Sequence, residues 1–460
     1  MNALFARHAL LPDGWRRDVL LRWDDTGRFT GVTADSAPPQ GIEQASYVLP
    51  GMINLHSHSF QRALSGLTEI AGEGPDSFWT WRDLMYRFAL GITPEQMEAI
   101  AAQLFVECLR YGYTSICEFH YVHRAPDGAL YADVAETARR VIAAAGSAGI
   151  GITMLPVLYS YAGFGAVPLS DQQRRFRTGP DDVLAIVQAL EPLRGPMVEV
   201  GVAPHSLRAA SVDGVRAVVD ALPKERPVHI HIAEQQAEVR QCLDQTGRRP
   251  VRFLFDNLAV DTRWCFVHAT HMDESEINSI AASGAVAGLC PTTEANLGDG
   301  LFPLPPFLER GGRFGIGSDS HVSTSPVEEL RWLEYGQRLA TQRRNVAVAH
   351  TGDTGGRAER RVGDFLWRAA LEGGGAAAGR QVGALRPGYN ADLLVLDDAH
   401  PNVAPPPELL NGFIFSGNDN LVKDVLAGGR WVVRGREHVA QRAIAARFLQ
   451  TLAELRELRS

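Results

Sequence analysis

Lysine is nearly missing from this chain. Of its 45 basic residues only Lys224 and Lys423 are lysine, and the other 43 are arginine. Any chemistry that needs a lysine amine is therefore confined to two positions. Cysteine offers little more: Cys108, Cys117, Cys242, Cys265 and Cys290 are scattered, odd in number and free of any CxxC pair. That excludes a disulfide framework and fits reduced, buried thiols. No uninterrupted apolar stretch approaches the ~20 residues a membrane helix requires. Met1 to Phe5 lack the basic segment, apolar run and cleavage site of a secretory leader. A formal net charge of -8 argues against a nucleic-acid surface, which needs clustered positive charge. The expectation is a soluble cytoplasmic protein with neither a nucleic-acid nor a membrane partner.

What is present is a long alternation. At 460 residues the chain exceeds one ordinary core, unless that core is a large α/β barrel with an accessory domain. Apolar runs fall near 52–56, 114–119, 152–157, 198–204, 228–233, 264–268, 285–290 and 313–318. Helix-like stretches separate most of them, as in Pro94–Tyr111, Asp133–Ala148 and Asp273–Ser283. Eight such units predict an α/β fold with a (β/α)₈ TIM-like barrel, whose site gathers at the C-terminal ends of its strands. A doubly wound sheet is the structural alternative. Short strands before residue 50 (19–23, 29–32, 47–49) share their texture only with 391–396 and 425–433. The predicted division is a small β-sandwich domain from residues 1–50 plus 385–437, a barrel over 51–384 and a C-terminal helix over 438–460. The Gly-rich region 351–357 reads as a surface loop, and the Gly/Ala stretch 373–379 as a tightly packed turn.

Four short segments carry chemistry. In Leu55-His56-Ser57-His58, residues two apart on an extended chain point the same way, so His56 and His58 face one metal together. A lone HxH is weak, but its place at the first strand's end strengthens it. In Val228-His229-Ile230-His231-Ile232-Ala233-Glu234, His229 and His231 again share a face, and Glu234 suits a proton shuttle. A packed core histidine is the competing reading for His229, and a helix N-terminal acid for Glu234. Val267-His268 ends the sixth run. Ile316-Gly317-Ser318-Asp319 ends the eighth, where Asp319 is either a ligand or a simple cap. Each alone is ambiguous. Together they place histidine or acid at the ends of strands one, five, six and eight, where a barrel collects its site.

That pattern resembles the amidohydrolase superfamily: HxH on strand one, His on strands five and six, Asp on strand eight. Leu385-Arg386-Pro387-Gly388-Tyr389-Asn390-Ala391-Asp392-Leu393 is similar to that family's return into its small sandwich. Two-metal members generally bridge their ions with an acidic group, often a carboxylated lysine on strand four. Here that strand reads Val200-Gly201-Val202-Ala203-Pro204-His205, with no lysine. The resemblance thus implies one ion, as in the deaminase branch, whose His-x-Ala-Glu signature matches His231-Ile232-Ala233-Glu234. The longer segments His56 to Ala63, Ser77 to Arg82, Glu118 to Tyr121, His205 to Arg208 and Thr293 to Gly300 resemble the formimidoylglutamate deiminases of bacterial histidine degradation.

This resemblance spans essentially the whole chain. It implies one zinc ion per subunit held by His56, His58, His231 and Asp319, with Glu234, His268 and Asp319 catalytic. It implies substrate contacts from Gln61, Arg82, Tyr121, His205 and Arg208, and a homodimer by family habit. The implied substrate, N-formimidoyl-L-glutamate, is a small molecule with two carboxylates, and arginine recognises a carboxylate through paired charge-assisted hydrogen bonds. Without the resemblance, Arg82 and Arg208 read as surface ion-pair residues, and Gln61 and Tyr121 as core-edge packing. Two competitors remain: a zinc deaminase of the same branch acting on a purine, pyrimidine or thioether nucleoside, and a non-catalytic relative. The latter predicts broken ligands, and all four are present.

Overall fold

The eight apolar runs become eight parallel strands in this computed structural model, which describes residues 2–70, 77–348, 360–401 and 403–457. Strands buried on both faces carry continuous apolar runs, and Met52–Ser57, Tyr113–His120 and Gly151–Leu158 are buried at every position. These three lie in order with Val198–Val200, and Ala203–Pro204 continues beside the third. A second parallel sheet orders Val228–Ile232, Trp264–His268, Val286–Leu289 and Arg313–Ile316. Parallel bridges connect the two arcs at both sides, Val202 with Val228 and Ser57 with Asp319. The second bridge sets the first strand's HxH beside the end of the last strand, a contact between residues 262 positions apart.

Helices fill the crossovers, and their ends are written locally. Thr93 caps Pro94–Tyr111 by accepting from Gln96 N, while Gln96 Oε1 accepts from Thr93 N at 3.1 Å. Gly112 stops that helix at φ 105°, a left-handed conformation that costs glycine little. Asp273 caps Glu274–Ser283 with Glu276 as its reciprocal partner. Among the described residues no helix is long and apolar enough to cross a membrane.

The Gly/Ala stretch is a correction. Residues 373–378 are not a turn but the end of the helix Val362–Ala378. A Cβ on Gly373 would lie 1.9 Å from Phe314 O, and one on Gly374 2.9 Å from Ile53 Cβ. Glycine, which costs a helix about 1 kcal/mol against alanine, is what lets this helix run against strand backbone. Its last carbonyls lack helical partners and are met by the sheets: Ala378 O accepts from Thr153 Oγ1 at 2.8 Å, and Ala377 O bonds His229 Nε2 at 2.8 Å. The 351–357 region lies outside the described residues.

The flanking β segments form one continuous eight-stranded sheet, where two separate layers were expected. Glu43–Pro50 joins the chain ends, pairing parallel with Asn2–Leu11 and antiparallel with Leu393–Leu396. The sheet curls until Trp23 Nε1 donates to Gly429 O at 3.1 Å, enclosing a small core that includes Leu21, Phe29, Leu393 and Leu426. Asn2–Leu11, with no expected counterpart, pairs with strands on both sides. The helix Gln441–Glu457 follows, bonded to Pro94–Tyr111 through Arg447 to Glu98 at 2.8 Å and Gln96 to Glu454 at 3.0 Å.

Candidate active site

Strand ends deliver the polar groups. His56 Nε2 stands 3.0 Å from His231 Nε2 and 3.4 Å from Asp319 Oδ1, and His58 Nε2 stands 3.3 Å from the same oxygen. His58 Nδ1–H donates to Phe119 O at 2.9 Å, and His231 Nδ1–H to His205 O at 3.0 Å. A carbonyl only accepts, so both rings carry their proton on Nδ1 and present a lone pair at Nε2. His56 supplies at most one hydrogen to three acceptors: two imidazole nitrogens and a carboxylate. Such an acceptor-rich, fully buried set fits a cation, and the backbone carbonyls behind it orient the rings for that purpose. His268 also falls within the cluster with His56 and Asp319.

The backbone is strained where these groups emerge. Ala233, His268, Ala269, Asp319 and His321 adopt φ of 51°, 66°, 49°, 47° and 62°. Non-glycine residues in that region cost about 1–3 kcal/mol each and persist where surrounding packing enforces them. Enforcement is visible: Glu238 accepts from the backbone N–H groups of Ala233 and Glu234 at 3.3 and 3.2 Å, and Glu118 accepts from Ser59 N at 2.8 Å and Ser57 Oγ at 2.6 Å.

Charge is concentrated beside the cluster. His268 Nε2 lies 3.7 Å from Glu234 Oε1 and 3.8 Å from Asp319 Oδ2, while its Nδ1 meets Glu294 Oε1 at 3.3 Å. Burial pulls the His268 imidazole down, but three carboxylates outweigh it and push it up to about 10. Burial pushes Glu234 up to about 7 against the pull of His268 and Arg208. Asp319, although buried, is held below the usual carboxylate range by His56 and its neighbours. Glu234 thus sits near neutrality and Asp319 well below it, a division suited to moving a proton between two sites.

A cleft opens over the cluster. Gln61, Arg82, Tyr121, His205 and Arg208 all line it, together with His58, His231, Glu234, His268 and Asp319. His56 is wholly buried beneath. Every candidate site residue read from the sequence is therefore brought to one place. His229 is not: it shares a face with His231 but lies two residues earlier on the strand, bonded to the helix end below. Both arginines lie against Trp79, with the Arg82 and Arg208 guanidinium carbons 4.4 and 5.8 Å from its ring centre. The Nε atoms of both are buried without a partner among the described residues. Tyr86 and Tyr159 escaped the sequence reading, because neither stands in a spacing that signals chemistry, and Trp79 and Glu294 stood inside the quoted segments without a role of their own.

The chain is similar to known proteins along nearly its full length. Residues 47–432 match the Amidohydrolase family, and residues 1–45 match the N-terminal domain of formimidoylglutamate deiminase HutF. A formimidoylglutamate deiminase of Pseudomonas aeruginosa is 51% identical over 458 residues, covering 99% of this chain and 100% of its own. The crystal structure of an amidohydrolase from Brucella melitensis superposes with a TM-score of 0.92 at 42% identity, covering 99% of this chain and 100% of that one. An adenosine deaminase from Xanthomonas campestris, crystallised with bound zinc, shares the fold at a TM-score of 0.79 and 22% identity, over 99% of this chain and 98% of its own. With matches from residue 1 to residue 432 and half of all positions identical to one such enzyme, the chain belongs to the amidohydrolase family, among its formimidoylglutamate deiminases.

Proposed function

We propose that the protein hydrolyses N-formimidoyl-L-glutamate to N-formyl-L-glutamate and ammonia, using one zinc ion per subunit held by His56, His58, His231 and Asp319. The two arcs act as a closed (β/α)₈ barrel, the bridges Val202–Val228 and Ser57–Asp319 marking its seams. The curled sheet of both chain ends forms the second domain. The observation that carries the substrate reading is the pair Arg82 and Arg208, both against Trp79 and each with an unpartnered Nε in the same cleft as Glu234. A dicarboxylate supplies the acceptors that such a wall lacks.

When bound, zinc lowers the pKa of a coordinated water to about 7. Around it the chain's own groups divide the work. Asp319 Oδ2 takes the proton of the attacking water. His268, braced by Glu294 at Nδ1, directs Nε2 at the space between Asp319 and Glu234 and steadies the oxygen there. Glu234 delivers a proton to the imino nitrogen. The new carbon–oxygen bond forms at the formimino carbon, the proton held by Asp319 passes on to the terminal nitrogen, the bond to that nitrogen breaks as the hydroxyl proton of the addition product returns to Glu234, and ammonia leaves. His205 and Tyr121 border the reacting end, and Gln61 Nε2 fixes Tyr121 by donating to its hydroxyl at 2.9 Å.

Ammonia release from a panel of N-formimidoyl-L-glutamate, adenosine, 5′-methylthioadenosine and cytosine tests this reading. Turnover confined to the formimidoyl substrate is expected. Preference for a nucleobase or nucleoside would leave the hydrolytic chemistry standing and remove the substrate.

A further inference from the structure

One polar cluster in the cleft is not used by the chemistry above. Tyr86 and Tyr159, both lining the cleft and both buried, hold their hydroxyl oxygens 3.0 Å apart. Gln173 Nε2 donates to the Tyr159 hydroxyl at 2.8 Å and lies 3.4 Å from that of Tyr86. The amide orientation is fixed from behind, because Gln173 Oε1 accepts from Ser170 N and Ser170 Oγ, each at 3.1 Å. Both tyrosine oxygens thus receive hydrogens from the same NH₂ group.

Counting hydrogens leaves a surplus. The two hydroxyls own two hydrogens, and their mutual bond uses one. The other has no acceptor among the described residues, and a buried donor without one is costly. It lies in a cleft where Arg82 and Arg208 are also short of acceptors. Arg82 is directly adjacent, its guanidinium carbon 5.4 Å from the Tyr86 ring centre. The pair is set back from the reacting end by one residue. The Tyr159 ring is 4.5 Å from His205, and His205 in turn is 4.9 Å from His231. In a formimidoylglutamate whose formimino carbon reacts beside His231, the side-chain carboxylate is five bonds away, whereas the α-carboxylate is only three.

We propose that the Tyr86–Tyr159 hydroxyl pair, held by Gln173, receives the side-chain carboxylate of the substrate together with Arg82, so that the distal end is read by a neutral donor as well as a charged one. This rests on the dicarboxylate reading above. Tyr86 and Tyr159 are then substrate-binding residues, and Gln173 is a positioning residue that keeps both oxygens supplied with donors so that their own hydrogen is free for the ligand.

The test compares N-formimidoyl-L-glutamate with N-formimidoyl-L-2-aminobutyrate, which lacks the distal carboxylate. The variant is Tyr86→Phe/Tyr159→Phe, with each single change alongside. A single change can leave one hydroxyl hydrogen in place; the double change removes both while keeping the rings. Loss of a hydrogen bond to a charged acceptor predicts a fall of about 10- to 150-fold in the ratio of kcat/KM for the dicarboxylate over the analogue. The fall should lie mainly in KM, and the melting temperature should confirm that the ring packing survives. Gln173→Leu should move the ratio the same way by a smaller factor. An equal loss on both substrates would make the pair merely structural and overturn the proposal. So would an unchanged ratio in a protein whose wild type prefers the dicarboxylate. If the wild type shows no such preference, the dicarboxylate reading falls first and the tyrosine assignment with it.

Discussion

The floor and the wall of the cleft are built on different principles. The floor, His56, His58, His231, His268 and Asp319, comes from strand ends whose positions are set by hydrogen-bond register, with His231 and Val267 paired across adjacent strands. The wall comes from one helix, Phe78–Ala89, and from segments around residues 121, 159 and 205–208, which meet only because the strands beneath them are neighbours. The floor carries acceptors that need a cation. The wall carries donors that need an anion. Chemistry common to a large family can therefore sit on a rigid register while substrate choice is written in crossover segments, which tolerate change without moving the strands.

The largest effect should come from the floor. His56→Ala or His231→Ala should lose metal and activity together, since three remaining ligands hold zinc poorly. Elemental analysis alongside the ammonia assay checks this, and full metal occupancy with full turnover in His231→Ala would dissolve the assignment. Next comes the boundary between the regions. Glu234→Gln should retain metal and fold yet lose roughly 10²–10⁴-fold in kcat, the range of a general acid–base step. Near-normal turnover would move the shuttle elsewhere.

On the wall the expected losses are graded. Arg82→Met or Arg208→Met should lower kcat/KM on N-formimidoyl-L-glutamate by about 10- to 150-fold with metal content unchanged. Lysine should restore only part, because a point charge cannot form the two-pronged contact. If either arginine variant lost metal as well, floor and wall would not be separable. The smallest effect on activity is expected below the floor. Gly373→Ala forces a methyl group against Phe314 O and should cost about 1–3 kcal/mol of stability. A lowered melting temperature with kcat/KM near normal would show that the helix end supports the site without shaping it. A collapse of activity at full stability would contradict that.

Much of this is legible in the sequence alone. Each of the eight parallel strands lies on one of the apolar runs, because a strand covered on both faces needs apolar side chains at nearly every position. The helix-like stretch Pro94–Tyr111 is equally readable, since the caps that bound it, Thr93 and Gly112, act within four residues. Asn2–Leu11 is not. Its Asn-Ala-Leu-Phe-Ala-Arg-His-Ala-Leu-Leu is rich in helix formers, and only pairing with strands on both sides makes it extended. The glycines at 373–375 suggested a turn because their reason for being there, the backbone of Phe314 and Ile53, is distant in sequence.

The candidate site divides along the same line. A period of two placed His56 with His58 and His229 with His231, and strand-end positions singled out His268 and Asp319; those are local facts that a chain carries with it. That His231 meets His56 while His229 bonds a helix carbonyl, that Glu294 braces His268, and that Tyr86, Tyr159 and Gln173 share hydrogens across up to 87 positions are not local. They depend on which strand lies beside which and how deep along it a residue sits. Covalent spacing sets which side chains share a face; only the register of the strands and the packing of their crossovers decides which faces meet.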